Sequence, residues 1–269
     1  MIMIVIKIGG SEGTDYQQIC ADIAAHIKAG QQIIVVHGAS HETNQLSLAL
    51  NHPPEFLTSV SGHESRRTDR KTLEIFIMAV AGKINTLIVE TLQQQGINAF
   101  GLTGCDGRLL MGERKKAIQA MIDGKRRIIR DDYTGKVENV NTKLLQILCD
   151  AGYTPVIAPI ALSNEYEAIN VDGDRAAAKI AGALQAQELI IFTNVPGLLK
   201  DVSQPDSLIM HIPKTNIERY MDIARGRMKK KILGASEAIL EGVACVRLTS
   251  GKVQTPLSNA LAGNCTVIQ

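Results

Sequence analysis

Short runs of aliphatic and β-branched residues alternate with longer stretches of helical periodicity along nearly all of this 269-residue chain. Several runs are apolar at consecutive positions, which is typical of parallel strands covered on both faces. Such alternation predicts an α/β sandwich with right-handed crossovers. The runs predicted as strands are residues 3–8, 32–37, 97–102, 154–159, 188–193, 243–248 and 265–268.

Three stretches between these runs show helical spacing. The first, at 19–27, repeats isoleucine at every fourth position. Another, at 141–152, opens on Asn141 as a candidate N-cap and ends at Gly152. The longest, at 68–96, places its apolar residues on one broad stripe: Leu73, Phe76, Ile77, Val80, Ile84, Leu87, Ile88 and Leu92.

Residues 105–138 break the alternation, because they contain no helical stripe of useful length. Asp123-Gly124 is a hairpin turn signal between two partly alternating arms. Residues 111–136 hold eight Lys or Arg and four Asp or Glu, a local excess of +4 against +2 for the whole chain. We therefore predict a basic, antiparallel hairpin region added to the parallel core. The polar stretch 162–168 is the best candidate for a domain boundary.

Composition excludes several classes of function. A net charge of +2 and 3% aromatic residues without Trp argue against a nucleic-acid binder. No apolar run approaches the ~18 residues that span a bilayer, so no membrane segment is expected. The five cysteines are far apart and form no C-x-x-C, so reduced thiols in a cytoplasmic protein are expected, rather than a zinc site or a disulfide framework.

Glycine-containing turns follow the first two predicted strands. Residues 7–11 read Lys-Ile-Gly-Gly-Ser, and residues 37–40 read His-Gly-Ala-Ser. Glycine lets backbone N–H groups approach an anion closely, and Lys7 adds a mobile positive charge. Neither turn is the G-x-x-x-x-G-K-[ST] or the G-x-G-x-x-G motif. Each alone is also compatible with an ordinary tight turn.

Charged residues precede two of the predicted helices. Residues 66–69, Arg-Arg-Thr-Asp, offer an N-cap and two arginines that either clamp a carboxylate or lie on the surface. Residues 170–174, Asn-Val-Asp-Gly-Asp, enter another helical pattern. Asp172 and Asp174 could cap that helix, chelate Mg²⁺ or pair with lysines, and capping by at least one of them is the plainest reading.

Five of the seven residues at 225–231 are cationic, at the start of a helix. A basic run is usually a solvated face. Cations at a helix start nevertheless interact unfavourably with the macrodipole. This unfavourable placement suggests that a polyanion, such as a nucleoside triphosphate, binds there. The strand end and rigid turn at 192–199 either floor a nucleotide pocket or form a plain turn.

Taken together and in this order, these motifs resemble the amino acid kinase family. The order is K-x-G-G, V-H-G, R-x-T-D, N-x-x-x-D, T-N-V-x-G-L and G-x-M-x-x-K, spread from Lys7 to Lys231. The resemblance implies a three-layer α/β/α sandwich around a mainly parallel sheet of about eight strands. It also implies an N-terminal lobe, 1–166, that binds a carboxylate substrate and dimerises, and a C-terminal lobe, 167–269, that binds ATP with Mg²⁺.

The same resemblance implies roles for individual residues, with no resident metal site. Lys7 and Lys231 would neutralise charge on the transferred phosphoryl group, and Asp174 would orient both lysines. The residues implied for substrate binding are Gly38, Ala39, Ser40, Arg66 and Asn170. Those implied for nucleotide binding are Gly9, Gly10, Asn194, Gly197, Gly226, Met228 and Lys229. Since a carboxylate acceptor is already ionised at pH 7, no general base is required, and His37 is expected to be structural.

Within the family, the chain resembles the acetylglutamate kinase branch. Four segments, 52–54, 65–74, 132–135 and 226–229, favour its carrier-dependent group. That likeness implies phosphorylation of 2-aminoadipate, or of the shorter glutamate, held on the acidic amino-group carrier protein LysW, giving an acyl phosphate in lysine biosynthesis. The basic stretch would then be a rim that attracts the carrier, or charge that protects a sheet edge. Its cations are Arg114, Lys115, Lys116, Lys125, Arg126, Arg127 and Arg130.

Three other functions stay open at this point. The first is N-acetylglutamate kinase of arginine biosynthesis, although that group typically has three glycines where this chain has Gly38-Ala39-Ser40 and a glycine where it has Arg227. The second is a non-catalytic nucleotide or amino-acid sensor, against which the presence of both Lys7 and Lys231 counts. The third is a Rossmann dehydrogenase, which the missing G-x-G-x-x-G disfavours.

Overall fold

The apolar run Met3–Ile8 forms the central strand of a large sheet, with nearly all its side chains buried. The computed structural model describes residues 2–59, 64–122, 125–221, 223–224 and 226–269. Its strands are β1 (Met3–Ile8), β2 (Gln32–His37), β3 (Phe56–Ser59), β4 (Glu64–Arg66), β5 (Ala99–Thr103), β6 (Leu110–Arg114), β7 (Ile118–Ile122), β8 (Lys125–Ile129), β9 (Thr134–Val140), β10 (Thr154–Ala158), β11 (Ile160–Ser163), β12 (Ala168–Val171), β13 (Glu188–Thr193), β14 (His211–Ile212), β15 (Cys245–Ser250) and β16 (Thr266–Ile268).

The helices connect these strands and cover the large sheet. A π-helical segment, Met78–Asn85, joins the third helix to the fourth. The α-helices are α1 (Tyr16–Lys28), α2 (Ser40–Ala49), α3 (Arg70–Ile77), α4 (Thr86–Gln94), α5 (Thr142–Asp150), α6 (Gly173–Ala183), α7 (Ile217–Met221), α8 (Gly226–Leu240) and α9 (Pro256–Leu261).

The large sheet has eight strands in the order β14-β16-β15-β13-β1-β2-β10-β5, and only β15 and β16 pair antiparallel. All seven predicted strands belong to it, with ends displaced by at most two residues. Alternate residues of β1 face two separate apolar cores. Val5 packs with residues of α5, α6 and α8, whereas Ile4 and Ile6 pack with residues of α1, α3 and α9. The predicted three-layer α/β/α sandwich is therefore confirmed.

Two smaller sheets lie outside this core. Strands β4, β3, β7 and β8 form an antiparallel sheet that includes the predicted basic hairpin, and Asp123-Gly124 lies outside the described residues. Strands β11, β12, β9 and β6 form a small closed barrel. Most of these strands are too short or irregular to be predicted. Strand β11 pairs with β12 on the other side of the proposed boundary, and the large sheet contains strands from both halves of the chain. The division into lobes at 166/167 therefore stays a prediction.

The long helical pattern forms one continuous helix, Arg70–Gln94, capped by Asp69, whose Oδ1 accepts from the backbone N–H of Thr72 at 2.8 Å. By length and composition alone this helix could cross a membrane, but half of its most apolar window is buried inside the protein, as in a core helix. The prediction of one uninterrupted stripe is wrong at Leu87, which is 40% exposed. The π-helical segment precedes Leu87, and its wider turns shift the register of the stripe.

Candidate active site

Two lysines from distant parts of the chain meet at one carboxylate. Lys7, in β1, lies with Nζ 2.8 Å from Oδ1 of Asp174, in the first turn of α6. Lys231, in α8, lies with Nζ 2.9 Å from Oδ2 and 3.2 Å from Oδ1 of the same residue. The three side chains are only 9–13% exposed. The predicted convergence of Lys7, Lys231 and Asp174 is present in the structure.

The charges of this cluster are coupled. Burial opposes ionisation of Asp174, but the ammonium groups of Lys231 and Lys7 outweigh it and hold the pKa of the carboxyl well below its usual range. Burial lowers the pKa of Lys231, and the Asp174 carboxylate opposes that effect. Two ammonium groups and one carboxylate leave one excess positive charge in a poorly solvated place, where it attracts an anion strongly.

Helices α6 and α8 hold Asp174 and Lys231 in register. Asp172 caps α6 by accepting from the backbone N–H groups of Asp174 and Arg175 at 3.0 and 3.1 Å. Arg175 donates two hydrogen bonds to Glu237 of α8, at 2.8 and 2.5 Å. The sequence could not assign separate roles to these two aspartates. In the structure Asp172 caps α6, and Asp174 pairs with the two lysines.

The turns after β1 and β2 press against each other. Oγ of Ser40 and the backbone N–H of His41 both donate to the carbonyl of Gly10 at 2.8 Å. Within the described parts of the chain, the N–H groups of Gly9, Gly10 and Ala39 have no acceptor, so they remain available to a bound anion. Ala39 has φ of −150°, so this position does not require a glycine.

Gly10 allows this close approach. A Cβ there would overlap the backbone of Gly38 and Ala39, so we expect Gly10→Ala to lower stability by about 1–3 kcal/mol. It should also lower kcat/KM about a hundredfold, because displaced loops misplace the reacting groups. The matched control is Gly82→Ala, since a Cβ there meets nothing within 4 Å. Urea unfolding and steady-state kinetics measure both, and equal activity of the two variants would contradict the expectation.

The residues predicted to bind substrate lie along the neighbouring elements. Arg66, at the end of β4, donates through Nη2 to Oδ1 of Asn44 at 2.5 Å and to the carbonyl of Ser40 at 3.3 Å. Asn170, in β12, donates through Nδ2 to Oγ1 of Thr68 at 3.1 Å. Arg66 therefore adjoins the turn after β2, and Asn170 lies just before the helix that carries Asp174.

A buried carboxylate behind these residues was missed. Asp132 is fully buried, accepts from the N–H of Thr68 at 2.9 Å through Oδ2, and accepts from the N–H and Oγ1 of Thr134 through Oδ1. It therefore ties the start of the long helix to β9. The segment Asp-Tyr-Thr-Gly at 132–135 was noticed only for its likeness to other kinases, and no periodicity marks it as a support for the site.

The residues predicted to bind nucleotide are less tightly grouped. Asn194, after β13, accepts through Oδ1 from Oγ of Ser11 at 2.8 Å, which joins this strand end to the first glycine turn. Gly197 is buried where a Cβ would overlap Thr266, which gives it a packing role. At the start of α8, Gly226 has φ of +51°, Met228 packs on the apolar core and Lys229 is partly exposed.

Comparison with known proteins identifies the family. Residues 3–250 match the amino acid kinase family. The [LysW]-aminoadipate kinase of Deinococcus radiodurans is 52% identical over 266 residues, covering 99% of this chain and 91% of that protein. The [LysW]-aminoadipate kinase of Thermus thermophilus is 48% identical over 269 residues, covering 99% of this chain and all of that protein.

Solved structures share the fold at lower sequence identity. The N-acetylglutamate synthase of Neisseria gonorrhoeae superposes with a TM-score of 0.79 at 24% identity, over 99% of this chain and 59% of that one. The carbamate kinase of Giardia superposes with a TM-score of 0.69 at 16% identity, over 99% and 98% of the two chains. The motifs, the sheet order and the extent of these matches agree: the chain belongs to the amino acid kinase family.

Proposed function

We propose that this enzyme transfers the γ-phosphoryl group of ATP to the side-chain carboxylate of an N-blocked acidic amino acid. The observation that carries the proposal is the pair Lys7 and Lys231, held on Asp174 beside two turns with free backbone N–H groups. Phosphoryl transfer depends mainly on positioning and charge neutralisation, and this site supplies both.

The reaction needs little further chemistry from the protein. A carboxylate oxygen of the acceptor attacks the γ-phosphorus, the bond from that phosphorus to the β,γ-bridging oxygen breaks, and ADP leaves with the bonding electrons. The acceptor becomes an acyl phosphate without loss of a proton, because its carboxyl is ionised at neutral pH. Lys7 and Lys231 then face the charge on the moving phosphoryl oxygens. ATP would enter with Mg²⁺ on its phosphates, the way kinase sites usually hold this ion.

The acceptor we propose is 2-aminoadipate linked to the carrier protein LysW, with LysW-linked glutamate as a second acceptor. The names of the two relatives at 52% and 48% identity support this choice. The two acceptors differ by one methylene, which a pocket distinguishes by only ~1–3 kcal/mol. The reaction belongs to lysine biosynthesis. The alternative is N-acetylglutamate kinase of arginine biosynthesis, and the second alternative is a non-catalytic sensor.

An ATP-dependent hydroxamate assay tests the proposal, because hydroxylamine traps acyl phosphates. The acceptors to compare are LysW-linked aminoadipate, LysW-linked glutamate, N-acetylaminoadipate and N-acetylglutamate. We expect turnover of the carrier-linked aminoadipate. Turnover of free N-acetylglutamate alone would favour the arginine route. If no acceptor gave a hydroxamate, the kinase proposal would be contradicted and the non-catalytic sensor would be the remaining alternative.

The basic hairpin of β7 and β8 is the proposed docking surface for the acidic carrier. Lys125, Arg126 and Arg127 are exposed in β8. Arg114 differs from them, since it packs over the ring of Tyr133, with its guanidinium carbon 3.6 Å from the ring centroid, and pairs with Glu167. The exposed cations are available to a partner, whereas Arg114 stabilises the fold.

Neutralising part of this surface should change the KM for the carrier-linked acceptor without changing the KM for ATP. We expect Arg126→Ser with Arg127→Ser to raise KM for carrier-linked acceptor about tenfold at low salt, because complementary charge speeds encounter, with less effect at high salt. KM for ATP should stay unchanged. The control removes two exposed charges elsewhere, with Lys28→Ser and Lys200→Ser. An unchanged KM for the carrier would contradict the docking role. The basic charges would then be explained by protection of a sheet edge.

The remaining assignments follow from the family resemblance. We propose that residues 1–166 bind the acceptor and residues 167–269 bind ATP. We also propose a homodimer built on the long helix and the edge strand β5, where Met78, Leu87 and Phe100 are 40–46% exposed. The five unpaired cysteines support a reducing, cytoplasmic location.

A further inference from the structure

Asn85, the last residue of the π-helical segment, is buried beside the carboxyl end of β2 and the middle of β10. Its Nδ2 lies 3.0 Å from Nε2 of His37 and donates to the carbonyl of Val156 at 2.9 Å. Gly101 in β5 leaves room for its Oδ1, since a Cβ on that glycine would overlap it. One side-chain amide therefore joins a long helix to two neighbouring strands of the central sheet.

This geometry determines the protonation of His37. The carbonyl of Val156 can only accept, so the NH₂ group of Asn85 must face it, and the same NH₂ group faces Nε2 of His37. Nε2 must then carry a lone pair, and the proton lies on Nδ1, 3.4 Å from the carbonyl of Gly38. An imidazolium would set one N–H against another.

The surroundings act in the same direction. Burial lowers the pKa of His37 to about 4, although the carbonyl of Gly38 favours the charged ring, and the ammonium of Lys7 on β1 lowers it further. Asn85 and Val156, which approach from the helix and from β10, bring no charge. Asp174, on α6, is already paired with Lys7. His37 is thus neutral at physiological pH.

His37 also adjoins the proposed catalytic groups. Gly173, the first residue of α6, would bring a Cβ within 3.4 Å of Cε of Lys7 and 3.6 Å of the carbonyl of His37. Gly38, the next residue, donates its N–H to the carbonyl of Ile8 at 2.9 Å. The backbone of His37 therefore lies against α6 beside Lys7, and its ring faces the carbonyl of Gly38 in the turn after β2.

The π-helical segment accounts for the position of Asn85. Such segments are rare and are frequently found at functional sites. Here Asn85 is 6% exposed while Leu87, two residues later, is 40% exposed. The helix therefore buries the amide of Asn85 beside His37 and leaves Leu87 at the surface.

We propose that Asn85 is a positioning residue for phosphoryl transfer, which holds His37 as the neutral Nδ1–H tautomer and so fixes the turn at Gly38 and Ala39 beside Lys7. This inference rests on the proposed kinase activity. Asn85 would act through His37 by excluding a third positive charge from the lysine pair.

The test compares Asn85→Asp with Asn98→Asp, the same change at an exposed position. An aspartate at 85 would accept a hydrogen bond from Nε2–H of His37 and so favour a proton on that nitrogen. We expect nitrogen NMR at pH 7 to find the Nδ1–H tautomer in the unsubstituted protein and a protonated Nε2 in Asn85→Asp. For Asn85→Asp, kcat/KM for the acceptor should fall at least tenfold at pH 6.5 and by less at pH 8.5, with KM for ATP within twofold.

Two results would overturn the inference. One is an unsubstituted protein whose His37 carries its proton on Nε2, which is measured without ATP or acceptor and so does not depend on the proposed reaction. The other is an Asn85→Asp variant whose acceptor kinetics match those of Asn98→Asp from pH 6.5 to 8.5. If Asn85→Asp does not fold, Asn85→Ala takes its place, with the same expected drop in kcat/KM for the acceptor.

Discussion

Replacement of Lys231 by methionine is expected to lower kcat about 10²- to 10³-fold, the loss typical when one preorganised donor to a developing charge is removed. Methionine keeps much of the side-chain volume but cannot neutralise the transferred phosphoryl group. Asp174 would keep Lys7, 2.8 Å away, so the fold should persist. Rapid-quench measurement of ADP formation with saturating ATP and acceptor isolates this loss from weaker binding.

Lys28→Met is the control, because it removes one exposed lysine from the end of α1. It should leave kcat within twofold. A Lys231→Met enzyme that retains more than a tenth of the normal kcat would show that Lys231 does not face the transferred group, and the proposed mechanism would fail with it.

Replacement of Asp174 by asparagine should cause a large loss of stability. The change leaves Lys7 and Lys231 buried together without a counter-charge, and breaking a buried charged set in this way costs about 3–5 kcal/mol. Urea unfolding at pH 7.5 measures it. The comparison is Asp150→Asn, an exposed aspartate at the end of α5.

The deficit of Asp174→Asn should shrink as pH rises. Two facing ammonium groups lower the folded-state pKa of one lysine, whereas an unfolded lysine titrates near ~10.4. Between those values the unfolded chain binds more protons, so stability increases with pH. In the unsubstituted protein the lowered pKa of Asp174 acts in the same direction but at acidic pH: its contribution is complete above the unfolded value near ~3.9 and is lost progressively as pH falls below it. A deficit that is constant from pH 7.5 to 9.5 would contradict this account.

The parts of the fold that sequence reasoning predicted are those with strong local signals. Strands such as β1 and β2 are continuous apolar runs, and both are found at the predicted residues. Caps are equally local: Asn141 accepts from the N–H of Leu144 at 3.2 Å, as its position before an apolar pattern indicates. The joint role of Lys7, Asp174 and Lys231 is predicted only by the order of motifs that resembles a family, since nothing local brings the three residues together.

The parts that were missed depend on contacts distant in sequence. Strands β3 and β4 have only four and three residues, too few to show alternation. Asp132 is identified as a support only by its two threonine partners, Thr68 and Thr134. Asn85 lies inside an apolar helical pattern, and only the widened turn before it shows why a polar side chain is buried there.

The ladder between β1 and β13 limits how the enzyme can open. Ile4 to Lys7 pair in register with Glu188 to Ile191, so the strand that carries Lys7 is bonded directly to the half of the molecule proposed to bind ATP. A wide hinge between the halves would break these bonds, whereas a change in sheet twist would keep them. Access for bulky reactants therefore depends on a change in sheet twist rather than on separation of two rigid bodies.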